Sequence, residues 1–256
     1  MIKYMVILFL IFQSVMTVQA GDIGWGIPRS KDEMQPYPGE RYDTLIRQND
    51  AFYIGSPDKK IIYLTFDTGY EVGNTTLILD VLKKHNVPTT FFVTGSFITK
   101  EPLLLQRMVN EGHLIGNHTW SHPDLTQISQ EEFNQELSKV EAAYHALTNQ
   151  TLVKVMRPPE GRLSQQMLDY AKQRGYYNIM WSLAYVDWNI HGQKGWQYAY
   201  EEILDRIHPG AIILMHSVSS DNAKALDHLI PALREKGYEF KSLQYLMTED
   251  AIEPLN

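Results

Sequence analysis

The chain has 256 residues, no cysteine and a formal net charge of -7. That length suits one sizeable core, with two small domains as the alternative. The missing thiols exclude a disulfide framework, a thiol nucleophile and thiolate metal ligands, and the acidic balance argues against nucleic acid as a partner.

Taken in chain order, Lys3 is followed by the apolar run Met5-Val6-Ile7-Leu8-Phe9-Leu10-Ile11-Phe12 and then by Val18-Gln19-Ala20. A basic start, a short apolar region and a small residue at its end read as a signal peptide over 1–20. Retention as an uncleaved anchor is the alternative, although the run is short for a bilayer span. The expectation is an exported, extracytoplasmic monomer with no stable membrane span once the signal is removed. Residues 21–60 are rich in Gly, Pro and polar side chains. They read as an arm that packs on the main domain through Trp25, Phe52 and Tyr53; disorder is the alternative.

From 61 to 256 apolar strands alternate with helical patterns. Strands are expected at 61–66, 89–94, 113–117, 153–156, 178–183 and 211–215, and helices at 74–85, 101–111, 129–147, 164–174, 197–207 and 221–236. Pro102 suits a helix first turn, and Gly112, Gly175 and Gly237 suit helix C-caps. Strand–helix units of this length imply an α/β fold with a parallel sheet, open or closed into a barrel. In a barrel, residues just after strands gather at the C-terminal rim, where active sites assemble.

Several polar groups fall at those positions. Asp67, in Thr65-Phe66-Asp67-Thr68-Gly69, ends the first strand and is placed to act as a base; taken alone, most such Asp residues cap a helix or a turn. His118 and His122, in Asn117-His118-Thr119-Trp120-Ser121-His122, can share one metal only if the chain turns between them. On a strand they would lie roughly 13 Å apart, and on one helical turn about 6 Å. Gly116 and Asn117 are read as the point where the strand breaks, and Pro123 as the end of the turn. Two ordinary loop histidines are the alternative. His113 is read as packing at its strand start.

Arg157-Pro158-Pro159-Glu160-Gly161 follows another strand, and its two prolines hold the Arg side chain and the Glu160 amide in fixed directions. A buried Arg needs a carboxylate, for which Asp67 is the candidate; a rigid turn with a surface Arg is the alternative. Asp187-Trp188 and Leu214-Met215-His216 follow two further strands. An Asp–His pair there would fix the imidazole tautomer and raise its pKa, as a general acid requires. Without thiols, any metal rests on His, Asp, Glu or water, which suits zinc or a similar divalent ion.

These five motifs, in this order, resemble those of the NodB-type polysaccharide deacetylases, carbohydrate esterase family four. The match runs from about 61 to 247. Within that family the chain is similar to the delta-lactam-biosynthetic branch of the bacterial spore cortex. That likeness rests on Gly24-Trp25-Gly26, Asp50-Ala51-Phe52-Tyr53, Tyr185-Val186-Asp187-Trp188 and the run from His208-Pro209-Gly210-Ala211 to His216-Ser217-Val218-Ser219-Ser220-Asp221-Asn222-Ala223.

The resemblance implies a distorted (β/α) barrel of seven or eight strands, the NodB homology fold. It implies Asp67 as general base, Arg157 orienting it, and His118 and His122 as ligands of a divalent metal. Asp187 would tune His216, and His216 would protonate the leaving amine. Leu214 would line the acetyl-methyl pocket, with Trp188, Glu160 and Arg162 on the substrate side. The implied reaction removes the N-acetyl group from N-acetylmuramic acid in a peptidoglycan glycan strand, after which the amine can close to a muramic lactam. Most of the family carries a second Asp where this chain has Thr68, so weaker metal binding is expected. Glu160 stands where much of the family has an aromatic; its charge would repel a lactyl carboxylate unless Arg162 or another base compensates. The alternatives are the same chemistry on N-acetylglucosamine, chitin or xylan, and a glycan-binding pseudoenzyme.

Overall fold

The computed structural model describes residues 23–252, so the expected signal at 1–20 lies outside the described residues. No helix among the described residues is long and apolar enough to cross a membrane. The first stretch forms strand β1 (Ile23–Gly24), helix α1 (Glu40–Arg47) and strand β2 (Ala51–Phe52). Trp25, Leu45, Ile46 and Tyr53 are buried with Phe133, Leu163 and Met167 in one apolar cluster. The Phe52 ring sits 5.8 Å from that of Tyr177.

Strand β3 (Ile61–Thr68) opens the alternation, followed by α2 (Thr75–His85) and β4 (Thr90–Val93). Two helices come next, α3 (Gly95–Lys100) and α4 (Pro102–Asn110), then β5 (Leu114–Asn117). Helix α3 is not expected from the sequence pattern: the Thr94 hydroxyl accepts from the Phe97 amide and starts a turn directly after β4. Helix α5 (Gln130–Thr148) begins with a capping box between Ser129 and Glu132. Strand β6 (Val155–Met156), a 3-10 turn at Pro159–Gly161, β7 (Arg162–Leu163) and α6 (Gln165–Gln173) follow. The strand expected over 178–183 is two pieces, β8 (Tyr177–Ile179) and β9 (Leu183–Ala184). After them come α7 (Trp196–Leu204), β10 (Ala211–His216), α8 (Ser220–Glu235), β11 (Glu239–Phe240) and α9 (Leu243–Ile252). Gly112, Gly175 and Gly237 take positive φ after their helices, as C-caps do.

The sheet order is β2-β8-β6-β5-β4-β3-β10-β9, with β11 beside β3, and its ladders are parallel. One stretch, 177–184, pairs with β6 through β8 and with β10 through β9. It therefore joins both ends of the sheet and curls it into the distorted barrel. The seam is tightened where the Gly55 amide donates to Gly210 O at 2.8 Å. A Cβ at Gly210 would lie 2.5 Å from the Gly55 backbone, and its φ of +72 favours glycine as well.

Strand β3 is buried on both faces, as a central parallel strand should be. Ile62, Leu64 and Phe66 pack outward with Phe91, Ile213 and Met215 under the helices. Ile61 and Tyr63 join Phe92, Val155, Ile179 and Ile212 in a second cluster, to which Leu243 and Leu246 of α9 contribute. Alternation puts Thr65 and Asp67 on this second face. The β3–β10 register sets Leu214 beside Thr65 and His216 beside Asp67.

Gly116 does not break its strand, because β5 continues to Asn117. It pairs with Phe92 across the ladder, and a Cβ there would fall 2.4 Å from the Phe92 ring. Close packing, not chain reversal, is the reason for glycine at this site. Gly116→Ala is expected to destabilise the fold by about 1–3 kcal/mol through overpacking, read as a lowered midpoint in chemical denaturation; an unchanged midpoint would show that Phe92 yields freely.

Candidate active site

Asp67 sits near the C-terminal end of β3, buried, against a guanidinium that is wholly buried. Arg157 Nη1 donates to Asp67 Oδ1 at 2.8 Å. The rest of the guanidinium is also engaged. Nε donates to Ile179 O at 2.9 Å, and Nη2 donates to Thr65 Oγ1 at 2.9 Å and Met180 O at 3.3 Å. Its central carbon lies 4.3 Å from the centroid of the Phe92 ring. Burial pushes the Asp67 carboxyl up, but the Arg157 charge, with His216 behind it, holds it below the usual carboxylate range. Asp67 is therefore an ionised carboxylate, and its Oδ2 is not engaged by Arg157.

His118 and His122 come together with ring centroids 4.9 Å apart. The turn between them is not a helical one. Thr119 and His122 take left-handed φ values of 65 and 59, outside the right-handed helical range, so the chain turns by another route. His118 is buried, and its Nδ1 bonds to Arg157 O at 2.8 Å. A carbonyl only accepts, so Nδ1 carries the proton and Nε2 keeps its lone pair. Nε2 lies 3.7 Å from Asp67 Oδ2. Burial pushes the His118 imidazole down to about 4, so it is neutral, the form that ligates metals.

The donor set fits a divalent ion held by few protein groups. Two imidazoles stand together, and the Thr68 hydroxyl is buried with no hydrogen-bond partner. No cluster of three or more His, Cys, Asp or Glu side chains of metal-holding geometry occurs among the described residues. Two imidazoles supply neutral N donors, the kind that suits zinc or a similar ion, and Thr68 brings no carboxylate to them.

Asp187 is buried and meets His216 in two ways: His216 Nδ1 bonds to Oδ1 at 2.6 Å, and the His216 amide donates to Oδ2 at 2.7 Å. Burial pushes the imidazole down, but the Asp187 charge beside it wins and raises it. Two residues that sequence reasoning gives no role complete this corner. Asn222 Nδ2 donates to Asp187 Oδ2 at 2.5 Å and to His216 O at 3.1 Å. The Tyr185 hydroxyl donates to Asn222 Oδ1. Both lie in runs that carry the family resemblance, and that is the signal by which they could be found.

Leu214 is buried one pleat below His216, and Trp188 is exposed beyond Asp187. Glu160 adopts a left-handed φ of 56. Its side chain points to solvent and pairs with Arg162 Nε at 3.2 Å, while Arg162 Nη1 pairs with Asp124 at 2.7 Å. Arg162 therefore does answer the Glu160 charge, although Asp124 shares it. His113 packs edge-on against Phe91.

A parallel barrel with an ionised carboxylate and an Asp-held imidazole on adjacent strand ends defines a hydrolase of the (β/α)-barrel type. The family model described as polysaccharide deacetylase matches residues 54–179. The peptidoglycan-N-acetylmuramic acid deacetylase PdaA of Bacillus subtilis is 48% identical over 227 residues, covering 89% of this chain and 86% of that protein. The solved structure of Bacillus subtilis PdaA, a family 4 carbohydrate esterase, shares 47% identity with a TM-score of 0.88, covering 90% of this chain and 98% of its own. A peptidoglycan-N-acetylglucosamine deacetylase of Bacillus cereus is 36% identical over 195 residues, covering 75% of this chain and 70% of that protein. The chain belongs to the NodB-type polysaccharide deacetylases, carbohydrate esterase family four.

The electrostatics set the response to substitution and to pH. Arg157→Met leaves the Asp67 carboxylate buried without its counter-charge and is expected to cost about 3–5 kcal/mol in a denaturant titration. Because Asp67 is held low in the fold, its contribution is present above about pH 3.9 and is lost as pH falls through the folded value. His216 runs the other way: its contribution is present below about pH 6.5 and is lost as pH rises through its raised folded value. Asp187→Asn removes the charge that raises it, so the imidazole should titrate lower in an NMR pH series. An unmoved His216 titration would show that Asp187 does not control it.

Proposed function

We propose that this chain is an exported, metal-dependent hydrolase that removes the N-acetyl group from N-acetylmuramic acid in peptidoglycan. The observation that carries the chemistry is the pairing of Asp67 and His216 across β3 and β10, with the carboxyl held low and the imidazole held high. Two neighbouring titratable groups pushed in opposite directions are a base and an acid at neutral pH. The muramic substrate is favoured by the 48% identity with PdaA of Bacillus subtilis, whose name states that activity.

His118 and His122 would hold the ion, with water completing its coordination sphere. A divalent ion held there supplies Lewis-acid polarisation of the amide carbonyl. Asp67 Oδ2 accepts the proton of the attacking water, since Oδ1 is committed to Arg157. The Glu160 amide, set by its left-handed backbone in a loop stiffened by two prolines, donates to the oxygen as it gains charge. His216 delivers its Nε2 proton to the nitrogen that leaves. Its Nδ1 is held by Asp187, so Nε2 is the free position. Leu214 offers an apolar wall to the acetyl methyl, and Trp188 an exposed face to the glycan. In spore cortex the freed amine lies beside the lactyl carboxyl of the same sugar and can close onto it as the delta-lactam.

The deciding experiment incubates the protein with defined divalent ions and peptide-free glycan strands and analyses the products by mass spectrometry. Loss of acetyl from muramic residues is expected. Loss from glucosamine residues alone would replace the substrate, and glycan binding without loss under any metal would sink the enzymatic reading. Asp67→Asn is expected to lower turnover by about 10²–10⁴-fold, the usual contribution of a positioned base. Thr68→Asp is expected to tighten zinc binding in a calorimetric titration; unchanged affinity would show that position 68 does not face the ion.

A further inference from the structure

The two imidazoles are held by different means. His118 is buried and tied through Nδ1 to the Arg157 carbonyl, whereas His122 is exposed. What directs His122 is therefore its backbone. That backbone is unusual, with left-handed φ at Thr119 and again at His122 itself. Non-glycine residues in that region persist only where their surroundings over-determine them.

The surroundings do so from three sides. From beneath, Asn117 Oδ1 accepts from the Thr119 amide at 2.9 Å, and Thr119 Oγ1 accepts from the His122 amide at 3.0 Å. From α3, the Gly95 amide donates to Thr119 O at 3.2 Å and Trp120 O at 3.1 Å. From α5, the Glu136 carboxylate takes the tip of the loop. Its Oε2 accepts from the Trp120 amide at 2.8 Å and the Ser121 amide at 2.7 Å, and its Oε1 accepts from the Ser121 hydroxyl at 2.8 Å. The next residue of α5, Leu137, accepts through its carbonyl from Asn117 Nδ2 at 3.1 Å. Helix α5 thus grips the histidine segment at its start and at its tip.

We infer that Glu136 is a positioning residue for His122, setting the direction of the exposed imidazole and with it the affinity of the metal site. This rests on the reading of His118 and His122 as ligands. Glu136 spends both oxygens on the loop, so it acts on the site through the backbone and not as a ligand. Its leverage is large here because Thr68 brings no charge to the site. With two imidazoles as the protein ligands, an ill-directed second imidazole removes a large share of the binding.

The test is calorimetric titration of the full chain with zinc chloride. Glu136→Ala is expected to bind about 10-fold more weakly or worse, the usual effect of losing an outer-shell partner. Glu136→Gln keeps an oxygen that can accept from both amides and should recover most of the affinity. Glu136→Asp pulls the carboxylate back by one methylene and should fall between, which decides the matter if the Ala variant does not fold. In the metal-free chain, hydrogen exchange at the Trp120 and Ser121 amides should quicken in the Ala variant. His122→Ala is the control. If it abolishes zinc binding while Glu136→Ala and Glu136→Asp bind like the unmodified chain, Glu136 is a loop staple only and the inference is overturned. If the unmodified chain binds no zinc, or binds it equally well without His122, the ligand reading itself fails and takes this inference with it.

Discussion

The buried ion pair between Arg157 and Asp67 is the interaction on which the rest of this site depends. A guanidinium with no solvent exposure is tolerable only if its charge is matched and its donors are met. Asp67 matches the charge, and Thr65, Ile179 and Met180 take remaining donors. Those last two carbonyls lie at the end of β8 and just beyond it, before β9 begins. The stretch that closes the barrel is thus interrupted where it serves Arg157. The same residue reaches the metal side through its own carbonyl, which fixes the His118 tautomer. One arginine therefore orients the base with its side chain and a candidate ligand with its backbone.

The second constraint is the β3–β10 register. Parallel pairing at Asp67 and His216 places a carboxylate and an imidazole one strand apart, and their other partners push them in opposite directions. Asp67 has a cation behind it, whereas His216 has an anion, Asp187, itself held by Asn222. Neither protonation state is a property of the residue type alone. Each follows from a counter-charge brought in by a strand distant in sequence.

Much of this is legible in the amino-acid sequence. The alternation of strands and helices, the capping glycines, and the pairings of Asp67 with Arg157 and of Asp187 with His216 all follow from local pattern plus the rule that buried charge seeks its opposite. What is not legible depends on contacts across the fold. Gly116 reads as a break until Phe92 is seen against it. The strand at 178–183 reads as continuous until Arg157 claims its carbonyls. The turn between the histidines reads as helical because spacing cannot distinguish a helical turn from two left-handed residues. Glu136 and Asn222 look like ordinary helix-face polar residues, since their partners lie at loops that no periodicity connects to them.

Thr68 can then be understood through charge as well as through the metal. A second acid at this position would place a like charge next to Asp67, and like charges at short range push one carboxyl up. Such a site needs its cation to keep both acids ionised. With threonine there, Asp67 is kept ionised by Arg157 and by the raised His216 imidazole. On the proposed reading, what is lost is a charged ligand, and the two imidazoles would hold the ion without it. The charge state of Asp67 is thus secured by a buried arginine, independently of whatever the paired imidazoles hold.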